Sequence, residues 1–311
     1  MSAPVSMLGA DGADHADCAD RAAGAAGAVR RRLAVPGAVR EIPWYVLLAG
    51  LILLLIAAAA LWPGLFTGTS PDEVNPLAAL QGPSAHHLFG TDQLGRDEFS
   101  RVVHGTGTSV GTGVAATALA LAAGSVAGVF AATAGRVADE AVMRVCDVLM
   151  SFPGLLLALL VVAILGPGTV NAAVAIGVSM TPGYTKLVRG QALVVRRSDY
   201  VRAAVTFGRR RTEIDLRHVA PNALAPLLVL ATVTVGGAVV AGASLSFLGL
   251  GPQPPAPDWG AMLADGQNYL AASWAVAVFP GLAVTTTVVA VTVVGGYLRK
   301  RFEGGQTNGG Y

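Results

Sequence analysis

The sequence predicts an all-α protein that crosses a membrane several times, and three observations carry that prediction: charge is scarce, it is absent from long stretches, and its basic part is one-sided. Of 311 residues only 13% are charged and 53% are hydrophobic, whereas a soluble domain carries about 25% charged residues. The mean hydropathy is +0.60. Charges cluster between five uncharged stretches, 43–71, 105–135, 148–185, 219–257 and 266–298. A span needs about 20 mostly apolar residues, so four of these fit one helix each. The stretch 148–185 is too long for one, and Gly166-Pro167-Gly168 near its middle is a turn signal that divides it. Six spans result, at 44–62, 108–132, 148–166, 170–187, 224–247 and 276–298.

Basic residues set the orientation. With both ends inside, Arg96 and Arg101 are the only basic residues left outside, while Asp72, Glu73, Asp92, Asp97, Glu98, Asp258 and Asp265 all lie there. Trp44 and Trp62 bracket the first span, and Trp274 and Tyr297 the last, as interfacial aromatics do. The basic clusters are thereby explained by topology and imply no nucleic acid. Cys18 and Cys146 fall on the inner, reducing side and are expected to be free thiols.

Residues 1–43 are rich in Ala, Gly and Asp without a hydrophobic period and are expected to be a disordered cytoplasmic tail. Its Asp11, Asp14, His15, Asp17 and Cys18 suggest metal ligands, but a solvated polar tail is the better account. The small residues Ala57 to Ala60 resemble a signal cleavage site; the late basic flank and the spans that follow favour an uncleaved anchor. Residues 63–104 form an outer segment ending in a short interfacial helix, capped by Asp97 and edged by Phe99, Val102 and Val103.

The second span carries Gly124 and Gly128 in GxxxG spacing, a pattern that lets helices approach closely in lipid. Polar residues and prolines inside spans mark a possible pathway: Ser151 and Pro153, then Ser179, Thr181 and Pro182, then Ser244 and Ser246. No span has a charge in its core, which argues against a proton relay or a secondary transporter.

The longest inner loop, 188–223, holds two short helices. Asp199 reads as an N-cap, Tyr200, Ala203, Ala204 and Phe207 form an apolar stripe, and Gly208 sits where a left-handed C-cap is favoured. After Arg209-Arg210-Arg211, Thr212 is expected to cap a second helix, with Asp215 three residues on, before Pro221 leads into the fifth span. The pattern suits either docking to a partner or lying on the bilayer.

Several motifs in this chain carry a resemblance. Asp199-Tyr-Val-Arg-Ala-Ala-Val-Thr-Phe-Gly208, followed by His218-Val-Ala-Pro221, resembles the coupling loop of ABC importer permeases. Gly90-Thr-Asp-Gln-Leu-Gly-Arg-Asp97, Asp147-Val-Leu-Met-Ser-Phe-Pro-Gly154, Ser244-Leu-Ser-Phe-Leu-Gly-Leu-Gly251 and Pro257-Asp-Trp-Gly-Ala-Met-Leu263 are similar to signatures of the dipeptide, oligopeptide and nickel subfamily. The likeness covers about 44–300 and is nearest to the second of two paralogous permeases. It implies the type I importer permease fold with a short cytoplasmic tail, 301–311, in a bacterial inner membrane. The implied partners are a paralogous permease, two cytoplasmic ATPase subunits or domains, and an extracytoplasmic binding protein. The chain has no G-x-x-x-x-G-K-[ST] loop, so ATP is expected on the partner, with no cofactor or metal held here and no catalytic residue. Di- or oligopeptide is the expected cargo, nickel or another small solute the alternative.

By the resemblance, Asp199, Arg202, Ala203, Ala204, Gly208 and Pro221 form the ATPase contact. The family's loop has Glu where this chain has Arg202; with Asp199 as N-cap, Arg202 cannot close a capping box and places a cation in the first turn. Ala220 also replaces a usual Leu, and the acidic residue often seen near Gly296 is missing. A stand-alone channel would need an internal repeat or intramembrane charge. An intramembrane enzyme would need a motif such as H-E-x-x-H, whereas His86, His87, His104 and His218 all lie outside the spans.

Overall fold

The computed structural model describes residues 42–306, the side chains of 211, 212 and 302–306 excepted. The tail readings, including Cys18 and the acidic run around His15, lie outside the described residues. From Trp44 onward the chain forms one compact unit. Its helices are α1 (Trp44–Leu61), α2 (Glu98–Thr133), α3 (Arg136–Met150), α4 (Gly154–Leu165), α5 (Thr169–Arg196), α6 (Asp199–Thr206), α7 (Ala220–Phe247), α8 (Trp259–Gly266) and α9 (Ala275–Gln306). The described residues contain no strand.

α1 is apolar on every side and exposes Leu47, Leu48, Leu51, Leu54 and Leu55, as a helix facing lipid should. Asp97 caps α2 as expected, its carboxylate accepting from the Ser100 N–H at 2.8 Å. The short outer helix, however, is not separate. It is the first turns of a 36-residue helix, about 54 Å long. That exceeds a hydrocarbon core of about 30 Å, so α2 projects beyond it.

The third expected span, 148–166, is not one helix. α3 and α4 meet at 94° across Ser151–Pro153. Pro153 holds the N-cap position of α4, and its ring disfavours helical geometry at the residue before it. α4 has 12 residues, about 18 Å, and does not span alone. Gly166 and Gly168 make the expected turn with φ of 87° and 138°. Asn171 Nδ2 donates to the Leu165 and Gly166 carbonyls there.

Among the described residues, α1, α2, residues 215–247 and 275–301 are long and apolar enough to cross a membrane, and the count rises to five if the bent pair α3–α4 is one broken span. The expected span 170–187 corresponds to α5, which at 28 residues is long enough but less apolar. Two of its polar residues are turned into protein: Thr185 is 1% and Tyr184 3% exposed. The last helix also runs past the expected end of its span, to Gln306.

α5 is the central helix, and α2 packs along it more extensively than any other pair of helices. Glycines make this possible. A Cβ on Gly124 would lie 2.5 Å from Tyr184 Cβ, and one on Gly128 2.7 Å from the Thr185 carbonyl oxygen. On the same seam a Cβ on Gly177 would meet the Ala116 carbonyl at 3.1 Å. α3 is strapped to α5 by charge. Lys186 Nζ lies 2.6 Å from Asp147, and both Arg189 Nε and Nη2 donate to Asp139.

The seam sets a test. Gly124→Leu or Gly128→Val should leave little folded protein after detergent extraction, measured by monodisperse yield in size-exclusion chromatography. Gly111→Ala, with nothing within 4 Å of the new carbon, should behave as the unaltered chain.

Candidate functional site

The loop between α5 and α7 folds into a compact elbow under the ends of three helices. Its core consists of Val201 on α6, Ile214, Val219, and Ala132, Ala192 and Ala223 from α2, α5 and α7; all six are buried, and Ala204 packs against them. The elbow is also tied by polar groups. Arg196 donates to the Ala132 carbonyl, and its Nε lies 3.8 Å from Asp215.

The N-cap position of α6 is held by Ser198, not Asp199. Ser198 Oγ donates backwards to the Val195 carbonyl at 2.6 Å and makes no cap bond. Asp199 is the first helical residue, its side chain fully exposed and 3.9 Å from Arg202. This shifts the frame by one: Arg202 is the fourth helical residue, so the capping-box argument lapses. The pair it forms with Asp199 is exposed on both sides and contributes little.

The expected stripe divides. Ala204 turns toward the elbow core, while Tyr200, Ala203 and Phe207 are exposed. Phe207 is 85% exposed at the C-cap. Gly208 adopts φ +75°, so the left-handed residue expected there is present. The Arg209 N–H closes the helix end on the Ala204 carbonyl at 3.3 Å. A short helix, Arg211–Ile214, then runs into a π-turn at Asp215–Val219 and on into α7. The turn accommodates Pro221, which has no N–H and whose ring would crowd the carbonyl four residues back in a regular helix. There the Ala220 N–H reaches back to Asp215. Thr212, expected as a cap, has its side chain outside the described residues.

The expected pathway residues do not converge. Ser151 is exposed at the α3–α4 bend and donates to Val148 O. Ser179, Thr181 and Ser244 donate to carbonyls of their own helices, at 2.8 Å each. Ser246 is buried and fills the space beside Gly251. Pro153 starts α4. Thr181 and Pro182 line an apolar cavity of about 360 Å³ between α2, α3 and α5, with Val142, Val145 and the buried free thiol of Cys146.

The end of the bundle away from the elbow holds a network that the sequence left as loop. Asp92 is 2% exposed and accepts from the Leu94 and Arg96 N–H groups and from Arg96 Nε at 2.6 Å; Arg101 Nε lies 3.7 Å away. Gly95 turns at φ +73° so tightly that a Cβ would lie 1.8 Å from the Asn75 carbonyl oxygen. His87 pairs with Asp97 at 2.9 Å rather than with His86. Nearby, Asp258 caps α8 through the Gly260 and Ala261 N–H groups and accepts from Ser109 Oγ at 2.8 Å. Trp259, 1% exposed, donates its indole N–H to Val102 O. Spacing hinted at this: Asp92 and Arg96 stand i,i+4, and an outer arginine defies the charge rule unless it is paired.

A bundle of long apolar helices, packed through glycines and carrying a tethered elbow at one end, defines an integral membrane transport component. The chain belongs to the family described as "Binding-protein-dependent transport system inner membrane component", whose model matches residues 124–304. It is 41% identical to the probable D,D-dipeptide transport system permease protein of Escherichia coli (strain K12), over 83% of this chain and 86% of that one. It is 40% identical to the dipeptide transport system permease protein of Alkalihalophilus pseudofirmus, over 78% and 80%. It is 39% identical to the glutathione transport system permease protein of Pectobacterium atrosepticum, over 82% and 85%. The chain is thus the permease subunit of an ABC importer and not its ATPase.

The Gly208 geometry is testable. Gly208→Ala meets no neighbour within 4 Å, so its cost is conformational, about 1–2 kcal/mol for a left-handed residue. Hydrogen exchange in residues 199–210 should speed up by roughly tenfold or more, with α2 and α5 unchanged.

Proposed function

We propose that this permease imports di- or oligopeptides, and that the elbow 199–221 receives the mechanical input of a cytoplasmic ATPase. The peptide cargo rests on the relatives, whose names specify dipeptide, D,D-dipeptide and glutathione transport. The coupling role rests above all on one observation: α6 shares a buried core with the ends of α2, α5 and α7. A displacement of α6 cannot be absorbed locally without opening that core, so it passes to the three helices together.

On this reading the membrane pathway lies between this chain and a paralogous permease, with both termini cytoplasmic. A binding protein delivers peptide to the outer face. Closure of two ATPases on ATP draws the elbows together and rocks the helices as rigid bodies between inward- and outward-open states. Asp199, Arg202, Ala203 and Gly208 meet the ATPase; Ala204 anchors α6 to the bundle, and Pro221 at the π-turn sets the entry into α7. The smallness of Ala203 and Gly208 keeps the approach close, with nothing within 4 Å of a Cβ placed on Gly208. Thr181 and Pro182 remain as pathway residues beside the apolar cavity; Ser151, Ser179 and Ser244 bond to carbonyls of their own helices, Pro153 starts α4, and Ser246 packs beside Gly251.

The reading is tested in proteoliposomes holding the paired permeases, the ATPases and the binding protein. Radiolabelled dipeptide should accumulate on ATP addition, and nickel should not. Uptake of the metal alone would replace the peptide assignment. Gly208→Trp should abolish uptake and substrate-stimulated ATP hydrolysis while the permease pair still assembles. Unchanged uptake would remove residues 199–221 from the coupling contact. The purified chain alone should hydrolyse no ATP in a phosphate-release assay.

A further inference from the structure

The outward surface of the elbow has a composition of its own. α6 is fixed by Val201 and Ala204 beneath the ends of the bundle, so its opposite face points away from the bundle. Of the apolar residues in this segment, Tyr200, Ala203 and Phe207 of α6 are exposed, and so is Leu216, at 72%. The same loop segment also exposes arginines: Arg202 and Arg217 expose 74% and 71% of their side chains, Arg209 exposes 48%, and Arg210 is exposed. Acidic residues do not balance them. Arg209 and Arg217 share one carboxylate oxygen of Glu213, at 3.5 and 3.1 Å. Asp199 lies 3.9 Å from Arg202, and Asp215 is turned inward to Arg196. Among the described side chains of this segment, four exposed arginines against Asp199 and Glu213 leave a surplus of two positive charges.

Topology alone accounts for basic residues beside the ends of spans, where Lys186, Arg189 and Arg196 are paired to acidic groups of the bundle. It accounts as well for the presence of arginines in this loop, but not for a phenylalanine beside them in the chain that the bundle leaves 85% exposed. An exposed phenylalanine in a loop segment with surplus guanidinium groups has the makings of an interface anchor: an apolar group to be desolvated and charges to set register.

We propose that this surface seats in a partner pocket with an apolar floor and an acidic rim, Phe207 filling the floor and Arg202, Arg209, Arg210 and Arg217 meeting carboxylates around it. The partner is the ATPase subunit, so the inference rests on the coupling role proposed above and adds the chemistry of the contact. The same charge that distinguishes Arg202 from the family's usual Glu makes this permease selective: an ATPase whose groove suits an acidic helix start would be repelled.

The experiment uses the whole transporter in nanodiscs of neutral phosphatidylcholine. ATPase retention on the immobilised permease pair is followed as salt is raised. A disulfide between Ala203→Cys and a cysteine scanned through the ATPase groove reports docking independently. Rim pairs are partly screened by salt, so retention should fall as salt rises. The triple variant Arg202→Glu, Arg209→Glu, Arg217→Glu should lose at least tenfold in retention at low salt, and the matching triple lysine variant should keep most of it. Phe207→Ala should weaken retention at every salt concentration. Retention by unaltered transporter that ignores salt would overturn the acidic-rim proposal, whether or not the triple variant folds. So would a triple variant that melts normally and holds the ATPase as the unaltered chain does. A defect seen only when anionic lipid is added, with retention intact in neutral discs, would assign the arginines to the membrane surface and overturn it too. In each of those cases an Ala203→Cys crosslink that still forms leaves the coupling role standing. Failure of the crosslink to form with any groove cysteine would remove the coupling role itself.

Discussion

Two helices in a bilayer gain nothing by hiding apolar surface from each other, since lipid is as apolar as they are. What holds this fold is therefore the closeness of α2 and α5, where dispersion and backbone contact replace the hydrophobic drive. Gly124, Gly128 and Gly177 allow it, and a side-chain carbon on Gly128 would fall 2.7 Å from a backbone oxygen. The other parts hang from this seam. α4 packs on α5, and α3 is strapped to it by Arg189 and Lys186. α7 joins the same pair through Gly113, where a carbon would lie 2.6 Å from Val239, and through the Tyr184 hydroxyl, which pairs with Thr234. The peripheral α1 lies against α2 and α9, presents most of its surface outward, and takes no part in the elbow core.

Much of this was legible, and for identifiable reasons. The absence of charge marks a helix in lipid because each misplaced ion costs several kcal/mol, so the apolar stretches were plain. The Gly124–Gly128 spacing announced the seam, and Gly208 announced its left-handed turn. The failures share a cause: competition between neighbouring groups that a pattern does not rank. Asp199 and Ser198 are both good caps, and the backbone gave the position to Ser198, whose hydroxyl then bonded elsewhere. Residues 148–166 have the apolar content of a span, but Pro153 breaks them where a hydropathy window sees nothing. Polar groups in spans are costly, and Thr181 and Ser244 meet that cost by bonding to their own helices, an arrangement that leaves their place in a pathway open. Arg96 and Arg101 looked like an exception to the charge rule until burial beside Asp92 accounted for them.

That buried outer network is expensive. Taking several ions from water costs more than their attraction returns unless every lone pair and proton is used. Here Asp92 spends one oxygen on two backbone N–H groups and the other on Arg96. Arg101 reaches the Pro71 carbonyl at 3.1 Å as well as the Asp92 carboxylate. The result fixes loop geometry more than it stabilises the fold: residues 69–71 and 92–97 are pinned onto the first turn of α2, with Ser100 Oγ bonded to Thr69 O.

α2 is consequently held at both ends by bonds that its own sequence could not supply. At its N-terminal end, Asp258, Trp259 and the Asp92–Arg96–Arg101 network grip residues 100–109; at its C-terminal end, Arg196 grips the carbonyl of Ala132 and the elbow core encloses its methyl group. Between those grips the helix has no proline, and the seam with α5 leaves no slack for bending. A 36-residue rod pinned in this way cannot flex to let the two faces move separately. On the proposed mechanism, movement of the elbow must therefore appear at the outer face as tilt of α2, carrying with it the loops that a binding protein would touch. The glycines that bring α2 against α5 thus have a second consequence: they make the central pair stiff enough for an event on one side of the membrane to be felt on the other.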